Sequence, residues 1–400
     1  MTTERIKDTA ATPQAGAPPQ RGRHLPDSSE TEAIEKARAD MLQQGRITQR
    51  DRIGADALCE ALIHQGVDVI FGYPGGVILP LYDVWADYPE LRTILVRHEQ
   101  GAAHAADGYA RASGRVGVCL GTSGPGATNL VTGIATAQLD SVPMVALTGN
   151  VPGALLGKDA FQEIDISGIT LPMTKHNYLV RNADDIPRVI AEAFHIARTG
   201  RPGPVHVDFT KDALTAETTA QNPTELNLPG FKPRFDGHPR QVKLAAKAIA
   251  AAERPVILAG HGILIAEATE ELEAFAHKAQ IPVTWTRLGV GGIDETDPLA
   301  YGYMGMHGWK DVNKAIQSSD LLIALGMRFD DRVTGSVSTY APHAQIIHVD
   351  IDPSEIGKNV AVDIPIVGDV GNVLRSLIKA CLLYTSPSPR DARKYLVCRL

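Results

Sequence analysis

Short apolar segments that alternate with helical patterns constrain the fold of this chain more than any other feature. In residues 51–213 the apolar segments read VDVIFG, RTILVRH, VGVCLG, VPMVALTGN and PGPVHVDF, and helical patterns such as EQGAAHAADGYARASG lie between them. Short buried strands that alternate with helices are typical of a parallel sheet covered on both faces. We therefore predict an α/β domain with a doubly wound parallel sheet over residues 51–213.

A second block with the same alternation covers residues 241–380. Its apolar segments are PVILAG, IPVTW, DLLIALG, AQIIHVDID and PIVGD, and helical patterns such as KLAAKAIAAA and ATEELEAFAHKAQ separate them. Residues 214–240 are polar and contain several prolines, which is typical of an interdomain linker. The sequence thus predicts two α/β domains, each with a doubly wound parallel sheet.

The two ends of the chain have a different character. Residues 1–50 are rich in Pro, Gln, Thr and charged residues, and we predict a disordered N-terminal extension there. Residues 381–400 read CLLYTSPSPRDARKYLVCRL and continue neither pattern, so we interpret them as an aberrant tail.

Bulk composition excludes several classes of protein. The net charge is -7 and the pI is near 6.0, which argues against a general nucleic-acid binder. The longest apolar runs are far shorter than the ~20 residues that cross a bilayer, so no membrane association is expected. The four cysteines form no C-x-x-C pair, and the N-terminus has no secretory pattern. A reduced, cytoplasmic chain is the expectation.

Ligands of open parallel sheets bind beyond the carboxyl ends of the strands. In the first block those ends are GYPGG, Glu99, GTSGPG and TGN, so three glycine-rich loops and one acid converge on one predicted edge. Glu99 shares a helix face with four alanines, and a packed helix would bury that face. A buried carboxylate without a partner is costly, which favours a functional role. The alternative is an acid at a helix N-terminus, stabilised by the helix dipole.

Six segments in order carry a resemblance to a known family. FGYPGG, RHEQGAAHAADGYAR, GTSGPGATNL, DSVPMVALTGNV, DAFQEIDISGIT and RFDDRVTG resemble the acetohydroxyacid (acetolactate) synthase large subunits, which are thiamine-diphosphate (ThDP) enzymes. The resemblance runs from about Ile53 to about Asp369. It implies that the first block is a ThDP pyrimidine-binding domain and the second a central FAD-binding Rossmann-like domain.

The resemblance also implies roles in the first block. Glu99 would hydrogen-bond N1′ of the aminopyrimidine ring, so that the 4′ nitrogen can remove the C2 proton of the thiazolium. The backbone of Gly75 and Gly76 would face the reacting centre, and Gln162 would lie near ThDP and substrate. The substrate channel would contain three further side chains, namely Phe161, Lys175 and Lys211. For the two lysines a solvated surface position is the open alternative.

The FAD reading of the second block depends on the resemblance, because no G-x-G-x-x-G is present. The matching positions are Ser141, Arg201, Gly260, Thr286, Met304, Gly305, Met306, His307, Gly326, Met327, Arg328, Phe329, Asp330, Asp350, Ile351, Gly368, Asp369 and Val370. Two residues of the second block depart from the family pattern: His261 stands where glycine is usual, and Arg287 where an apolar residue is usual. These departures concern local FAD contacts.

Part of the family pattern has no counterpart in this sequence. The family anchors the diphosphate through Mg²⁺, with oxygen ligands from a G-D-G and N-N motif in a third domain. Neither motif occurs in the 400 residues, so we assign no metal ligand. We expect a C-terminally truncated chain that is inactive alone, and a natural short homologue is the alternative.

The resemblance implies a transferase of branched-chain amino-acid biosynthesis. Pyruvate would be decarboxylated on ThDP and joined to a second 2-ketoacid, giving 2-acetolactate or 2-aceto-2-hydroxybutyrate. A homodimer or homotetramer and a small regulatory subunit are the implied partners. The alternatives are another ThDP/FAD enzyme, such as pyruvate oxidase or glyoxylate carboligase, and a non-catalytic FAD- or subunit-binding fragment.

Overall fold

The computed structural model describes residue 36 and residues 51–381, and of residue 381 only the backbone. The predicted disordered extension over residues 1–50 and the predicted aberrant tail over residues 381–400 otherwise lie outside the described residues. The chain divides into two compact units between Leu228 and Pro229. We call the described residues 51–228 unit 1 and residues 229–381 unit 2.

Unit 1 is built on a parallel sheet of six strands in the order β2-β1-β3-β4-β6-β5. The strands are β1 Val69–Gly72, β2 Arg92–Leu95, β3 Gly117–Gly121, β4 Met144–Asn150, β5 His176–Val180 and β6 Pro204–Thr210. The helices are α1 Gly54–His64, α2 Leu79–Trp85, α3 Glu99–Ser113, α4 Pro125–Thr128, α5 Val131–Asp140, α6 Ile166–Thr170, α7 Ile186–Arg198 and α8 Lys211–Thr215. The strand order reverses between β1 and β3, which is where such sheets bind ligands.

The centre of unit 1 is closely packed because small residues line its helices. All residues of β3, β4 and β6 are buried. The alanine face of α3 packs against β3 and α5. A side chain at Gly133 of α5 would overlap Ala103 of α3, so these two helices approach too closely for anything larger. The predicted burial of the alanine face is therefore confirmed.

Unit 2 contains a second parallel sheet of six strands, in the order β12-β11-β10-β7-β8-β9. The strands are β7 Pro255–Ala259, β8 Val283–Trp285, β9 Ala300–Tyr303, β10 Leu321–Leu325, β11 Gln345–Asp350 and β12 Ile364–Val367. The helices are α9 Pro239–Ala251, α10 His261–Ile265, α11 Thr269–Ala279, α12 Lys310–Ser318, α13 Asp331–Thr334 and α14 Val370–Cys381. Here the strand order reverses between β7 and β10.

Alternate residues of the central strands in unit 2 face two different cores. Ile257 and Ile323 belong to the larger core, whereas Leu258 and Leu322 belong to the smaller one on the other face. A sheet with apolar residues on both faces needs cover on both, as predicted for a doubly wound fold. The predicted fold class is confirmed for both units. No helix in the described part of the chain is long and apolar enough to cross a membrane.

Two strands have no counterpart among the predicted apolar segments. They are β5 and β9, and each lies at an edge of its sheet. Both contain several partly exposed residues, so their sequences HNYLV and AYGY carry no continuous apolar run. An edge strand pairs on one side only, and its hydrophobic pattern is correspondingly weaker.

The segment predicted as a linker, residues 214–240, is held at both of its ends. Near its start, Thr218 N donates to Arg52 O at 3.1 Å, and Glu217 pairs with Ile53. Near its end, Phe235 O accepts from Asp369 N at 2.8 Å. The first of these contacts lies within unit 1 and the second within unit 2, so each unit fixes its own end of the segment.

Candidate functional site

Loops from different strands meet at the carboxyl edge of the sheet in unit 1. A side chain at Gly75, after β1, would overlap Thr122, which follows β3. A Cβ atom at Gly126 would lie 2.7 Å from Thr122 Cγ2 and 3.4 Å from Glu99 Oε1. The two glycine loops and the start of α3 therefore lie against one another, and glycine at positions 75 and 126 permits this close approach. We call this region, residues 73–78, 99 and 122–129, the pyrimidine edge.

Glu99 is the first residue of α3, and its Oε1 lies beside Gly126. Its side chain is buried, with 8% of the residue exposed, and its Oε2 accepts a hydrogen bond from Asn129 Nδ2 at 2.9 Å. The helix is capped by His98, whose Nδ1 accepts from Gln100 N at 3.1 Å. Glu99 therefore combines both readings of the sequence: it is a buried acid on the alanine face and an acid in a first helical turn.

Two buried hydroxyl groups at the pyrimidine edge have no partner among residues 51–381. They are Thr122 Oγ1 and Ser123 Oγ. Buried polar groups in proteins are nearly always hydrogen-bonded, and leaving one unpaired costs about 1–3 kcal/mol. These hydroxyls therefore mark a place where a polar ligand group fits.

Gln162 reaches the pyrimidine edge from a long loop between β4 and α6. A Cβ atom at Gly124 would lie 2.8 Å from Gln162 O and 3.0 Å from Gln162 Cα, so the two backbones are in contact. The neighbouring Phe161 is 88% exposed. Its predicted place in a substrate channel stays a prediction.

The structure separates the two lysines of the predicted substrate channel. Lys211 begins α8 directly after β6, so it lies at the carboxyl edge with Glu99, and it is exposed. Lys175 precedes β5 and lies at the opposite, amino edge. Its Nζ donates to Thr199 O at 2.8 Å and to Ile196 O, at the C-terminal end of α7. Lys175 thus satisfies helix carbonyl groups, which is a structural role.

Ser141 and Arg201, which the resemblance assigns to FAD, contact each other. Arg201 Nε donates to Ser141 Oγ at 2.8 Å. Ser141 ends α5 before β4 begins, and Arg201 precedes β6, so both lie at the amino edge of the sheet. They are therefore on the opposite side of unit 1 from Glu99.

The FAD positions in unit 2 follow the carboxyl ends of its strands. Each of the six strands is followed at once by one of them or ends in one. These positions are Gly260 after β7, Thr286 after β8, Met304, Gly305, Met306 and His307 after β9, Gly326, Met327, Arg328, Phe329 and Asp330 after β10, Asp350 and Ile351 at the end of β11, and Gly368, Asp369 and Val370 after β12. Because parallel strands have their carboxyl ends at one edge, these residues lie along one edge of the unit 2 sheet.

The backbone at the switch point of unit 2 is held very closely. Gly262 N donates to Gly326 O at 3.0 Å, and a Cβ atom at Gly262 would lie 2.6 Å from Gly326 Cα. Phe329, farther along the same loop, has a φ of 51°, which is unusual for a bulky residue. Asn359 Nδ2 holds that conformation by donating to Arg328 O and Phe329 O, each at 3.1 Å.

Three aspartates at this edge accept hydrogen bonds from nearby backbone amides. Asp330 Oδ1 accepts from Arg332 N at 3.0 Å, and Asp350 Oδ1 accepts from Asp352 N at 2.9 Å. Asp369 Oδ1 accepts from Asn372 N at 3.0 Å, and burial raises the pKa of Asp369. Each acid therefore stabilises a turn or helix start in addition to any contact with a ligand.

The two departures from the family pattern lie at the same edge. His261 begins α10 directly after Gly260, and Arg287 follows Thr286 in a short 3₁₀ helix, Arg287–Gly289. Arg287 is exposed. Both side chains therefore follow strands of the sheet and add positive or titratable groups there.

Sequence reasoning missed a buried polar network beneath the long loop of unit 1. Thr148 Oγ1 lies 2.7 Å from His206 Nε2 and donates to Asp208 Oδ1 at 2.6 Å, and Asn150 Nδ2 donates to Asp208 Oδ2 at 2.6 Å. Burial lowers the pKa of His206 to about 4 and raises that of Asp208 to about 6. The sequence signal was the polar alternation in PVHVDFT, within an otherwise buried strand.

Asn129, Thr122 and Ser123 were also missed as individual site residues. All three lie in the segment GTSGPGATNL, which the resemblance used only as a motif. Asn129 is 30 positions from Glu99 in the chain, so their contact depends on how α4 returns toward α3. No spacing rule in one sequence reveals a contact of that kind.

Two protein families match this chain. Residues 52–169 match the family described as the N-terminal TPP binding domain of thiamine pyrophosphate enzymes. Residues 242–377 match the central domain of thiamine pyrophosphate enzymes. The first matched region contains β1 to β4 of unit 1 and ends before β5 and β6, whereas the second contains all six strands of unit 2.

Similar curated proteins carry consistent names. A probable acetolactate synthase large subunit of Methanocaldococcus jannaschii is 57% identical, over 82% of this chain and 56% of its own length. An acetolactate synthase of Mycobacterium bovis is 58% identical, over 81% of this chain and 53% of its own length. The acetolactate synthase large subunit of Corynebacterium glutamicum is 54% identical, over 85% and 55%. The chain thus spans about half the length of these relatives.

Proposed function

Because the chain belongs to the thiamine pyrophosphate enzymes, we propose that it provides the aminopyrimidine-binding part of an acetolactate synthase active site. The names of its relatives support this choice within the enzyme class. The reaction would consume pyruvate and a second 2-ketoacid and yield 2-acetolactate or 2-aceto-2-hydroxybutyrate.

One observation carries the proposal: Glu99 is a buried carboxylate in a region where two buried hydroxyl groups have no partner among residues 51–381. The residues present fit an aminopyrimidine ring there. Gly75 and Gly126 let the loops after β1 and β3 pack closely beside Glu99, and the unpaired hydroxyls of Thr122 and Ser123 offer polar partners. A ring with both nitrogen acceptors and an amino donor matches such a mixture of groups.

The residues of the pyrimidine edge have distinct tasks in this proposal. ThDP, when bound, would supply the carbanion chemistry that decarboxylation needs. Glu99 would hold a proton at the ring nitrogen N1′, and Asn129 would fix the orientation of the Glu99 carboxylate through Oε2. Gln162 would orient the 2-ketoacid, while Phe161 and Lys211 would line its approach. Gly75 and Gly76 would let the backbone come near the reacting atoms.

Unit 2 would bind FAD along the carboxyl edge of its sheet. The reversal of strand order between β7 and β10, with family-matched positions at the ends of both strands, supports a ligand at the switch point. Arg287 and Arg328, both of unit 2, would offset a pyrophosphate group. We leave Lys175 out of the substrate channel, because its amine already binds helix carbonyl groups.

Mg²⁺, the oligomer and the regulatory partner belong to the same proposal. No group of three or more His, Cys, Asp and Glu side chains suited to a metal occurs within the described residues. We therefore place the Mg²⁺ ligands on polypeptide beyond residues 51–381. A homodimer or homotetramer, a small regulatory subunit and a cytoplasmic location follow from the relationship to acetolactate synthase large subunits.

A binding experiment on the 400-residue chain tests the pyrimidine edge. ThDP binding is measured by isothermal titration calorimetry, with Glu99→Gln and Asn129→Ala compared with Glu90→Gln, which removes an exposed acid. We expect both site variants to weaken binding by roughly tenfold or more, because each removes a hydrogen bond involving a charged group. Equal affinities in the original chain and its three variants would contradict the proposal.

The reaction itself is tested in a chimera. Residues 51–381 of this chain replace the matching residues of the Methanocaldococcus jannaschii relative, and acetolactate formation from pyruvate is measured. Activity that disappears in Glu99→Gln and persists in Glu90→Gln is the expected result. A chimera that is folded and binds ThDP but consumes no pyruvate would argue for a different substrate class.

A further inference from the structure

The loop that carries Gln162 has an unusual backbone. Three of its residues have positive φ angles: Gly157 at 75°, Asp159 at 53° and Gln162 at 57°. Residues with a Cβ atom rarely adopt this region, and each instance costs free energy unless the surroundings compensate. Something in the chain must therefore hold the loop in this shape.

Glu163 supplies that constraint. Its carboxylate accepts from the backbone amides of two loop residues, Ala160 N at 2.9 Å and Gly157 N. Its own amide donates to Ala160 O at 2.9 Å. These backbone hydrogen bonds lower the pKa of Glu163. The Glu163 carboxylate thus binds both ends of the segment from Gly157 to Ala160.

The other acidic residues of the loop have different arrangements. Asp165 caps α6, where its Oδ1 accepts from Gly168 N at 2.8 Å. Asp159 is exposed and accepts no backbone hydrogen bond from another described residue in the loop. Glu163 is therefore the acid whose removal should release the backbone before Gln162.

The far side of the loop is fixed by contact with the pyrimidine edge. Gly124 has a φ of 61°, and its Cα faces the backbone of Gln162 so closely that a Cβ atom would lie 2.9 Å from Gln162 Cβ. Gly124 directly follows Ser123, one of the two unpaired hydroxyls. The position of Gln162 is thus set by two sets of contacts. The Glu163 carboxylate binds the loop backbone before Gln162, and Gly124 packs against the backbone of Gln162 itself.

We propose that Glu163 is a positioning residue that holds Gln162 against the pyrimidine edge through two backbone amides. The inference rests on the proposed function, because it assigns Gln162 to the substrate. In this proposal Glu163 acts without contacting substrate or cofactor. Its carboxylate acts only on the backbone conformation that presents Gln162.

Hydrogen exchange on the 400-residue chain tests the positioning without any cofactor. Amide exchange of Gly157 and Ala160 is compared in the original chain, Glu163→Ala, Glu163→Gln and the matched control Asp159→Asn. Asn tolerates a positive φ, so the control removes one loop charge and keeps the conformation. We expect roughly tenfold faster exchange at both amides in Glu163→Ala, a smaller effect in Glu163→Gln with its single acceptor oxygen, and no change in the control.

The pH dependence of amide protection tests the same contact in a second way. A carboxylate with a lowered pKa holds the loop at neutral pH and releases it only as pH falls through that pKa. Protection of the Gly157 and Ala160 amides, corrected for intrinsic exchange, should therefore decrease below the ordinary glutamate range of about 4. Protection that is the same in Glu163→Ala as in the original chain would overturn the proposal.

A double-mutant cycle in the chimera separates positioning from a merely structural role. Glu163→Gln should lower kcat/KM for pyruvate roughly tenfold, yet cause little further loss in a Gln162→Ala background, because both act through one side chain. Fully additive losses would overturn the proposal. If Glu99→Gln and Gln162→Ala both leave turnover unchanged, the proposed function fails instead, and the exchange result still decides whether Glu163 shapes the loop.

Discussion

Two adjacent glycines after β1 differ in what surrounds them. A Cβ atom at Gly75 would overlap the Thr122 side chain, whereas one at Gly76 would meet no atom within 4 Å. Nothing in the segment GYPGG predicts that the two glycines have different surroundings. Only the packing of the loop after β3 against the loop after β1 distinguishes them.

This difference predicts unequal responses to the same substitution. Gly75→Ala should destabilise unit 1 by about 1–3 kcal/mol, because the methyl group displaces Thr122 within a packed edge. Gly76→Ala should change the free energy of unfolding by less than about 0.5 kcal/mol. Urea unfolding of both variants measures this. Equal destabilisation by the two substitutions would show that the loops do not pack as described.

Glu99 shows what sequence reasoning achieves at one residue. The alanine face predicted its burial, and the structure confirms that burial. Its partner, Asn129, was not predicted, because the hydrogen bond crosses from α3 to the turn after α4. Periodicity describes one helix at a time, whereas a hydrogen bond between helices depends on their relative placement.

At the scale of elements, the buried pair on β6 links protonation to stability. His206 and Asp208 lie on the same face of the strand, both bridged by Thr148 of β4. Thr148 donates to an ionised Asp208; a protonated Asp208 would donate to Thr148 instead. Asp165 is the other acid that acts on Asp208, and it raises the pKa of Asp208 further. Both members of the pair are thus favoured in their neutral forms when folded.

The two pKa changes have opposite effects on stability. Between about pH 4 and 6, the folded chain retains a proton on Asp208 that the unfolded chain has lost, so Asp208 makes stability fall as pH rises. Over the same range, the unfolded chain carries a proton on His206 that the folded chain lacks, so His206 makes stability rise. The effects oppose each other in the original chain.

Single substitutions should reveal each contribution. In Asp208→Asn the stability of unit 1 should rise by about 3 kcal/mol from pH 4 to pH 6.5, and in His206→Gln it should fall by a similar amount. Urea unfolding followed by Trp85 fluorescence measures this, with Trp285 and Trp309 replaced by Phe so that only unit 1 is observed. Parallel slopes in the two variants would contradict the assignment.

At the scale of the whole chain, each sheet is completed within its own unit. No strand of the described residues pairs with a strand of the other unit. The two ends of residues 214–240 are tied to different units, and the division falls between Leu228 and Pro229. Each unit has its own apolar core, which is the usual requirement for independent folding.

A cut at the division should leave both units folded. A protease site inserted between Leu228 and Pro229 is cleaved, and amide exchange is followed in β4 and in β10, the central strands of the two sheets. We expect protection to persist in both strands after cleavage, because their hydrogen bonds and cores remain complete. Loss of protection in either strand would show that its unit depends on the covalent connection.

The sequence by itself determined the two α/β units, the central buried strands, the alanine face of α3 and the glycine loops at the strand ends. These features depend on local periodicity, and the carboxyl ends of parallel strands share one edge wherever the strands pair. Tertiary structure alone decided that β5 and β9 complete the sheets. It also placed Ser141, Arg201 and Lys175 at the opposite edge from Glu99, and it brought Asn129 to Glu99 and Glu163 to the amides of Gly157 and Ala160. Those outcomes depend on strand order and on contacts between distant segments, which neighbouring residues do not specify.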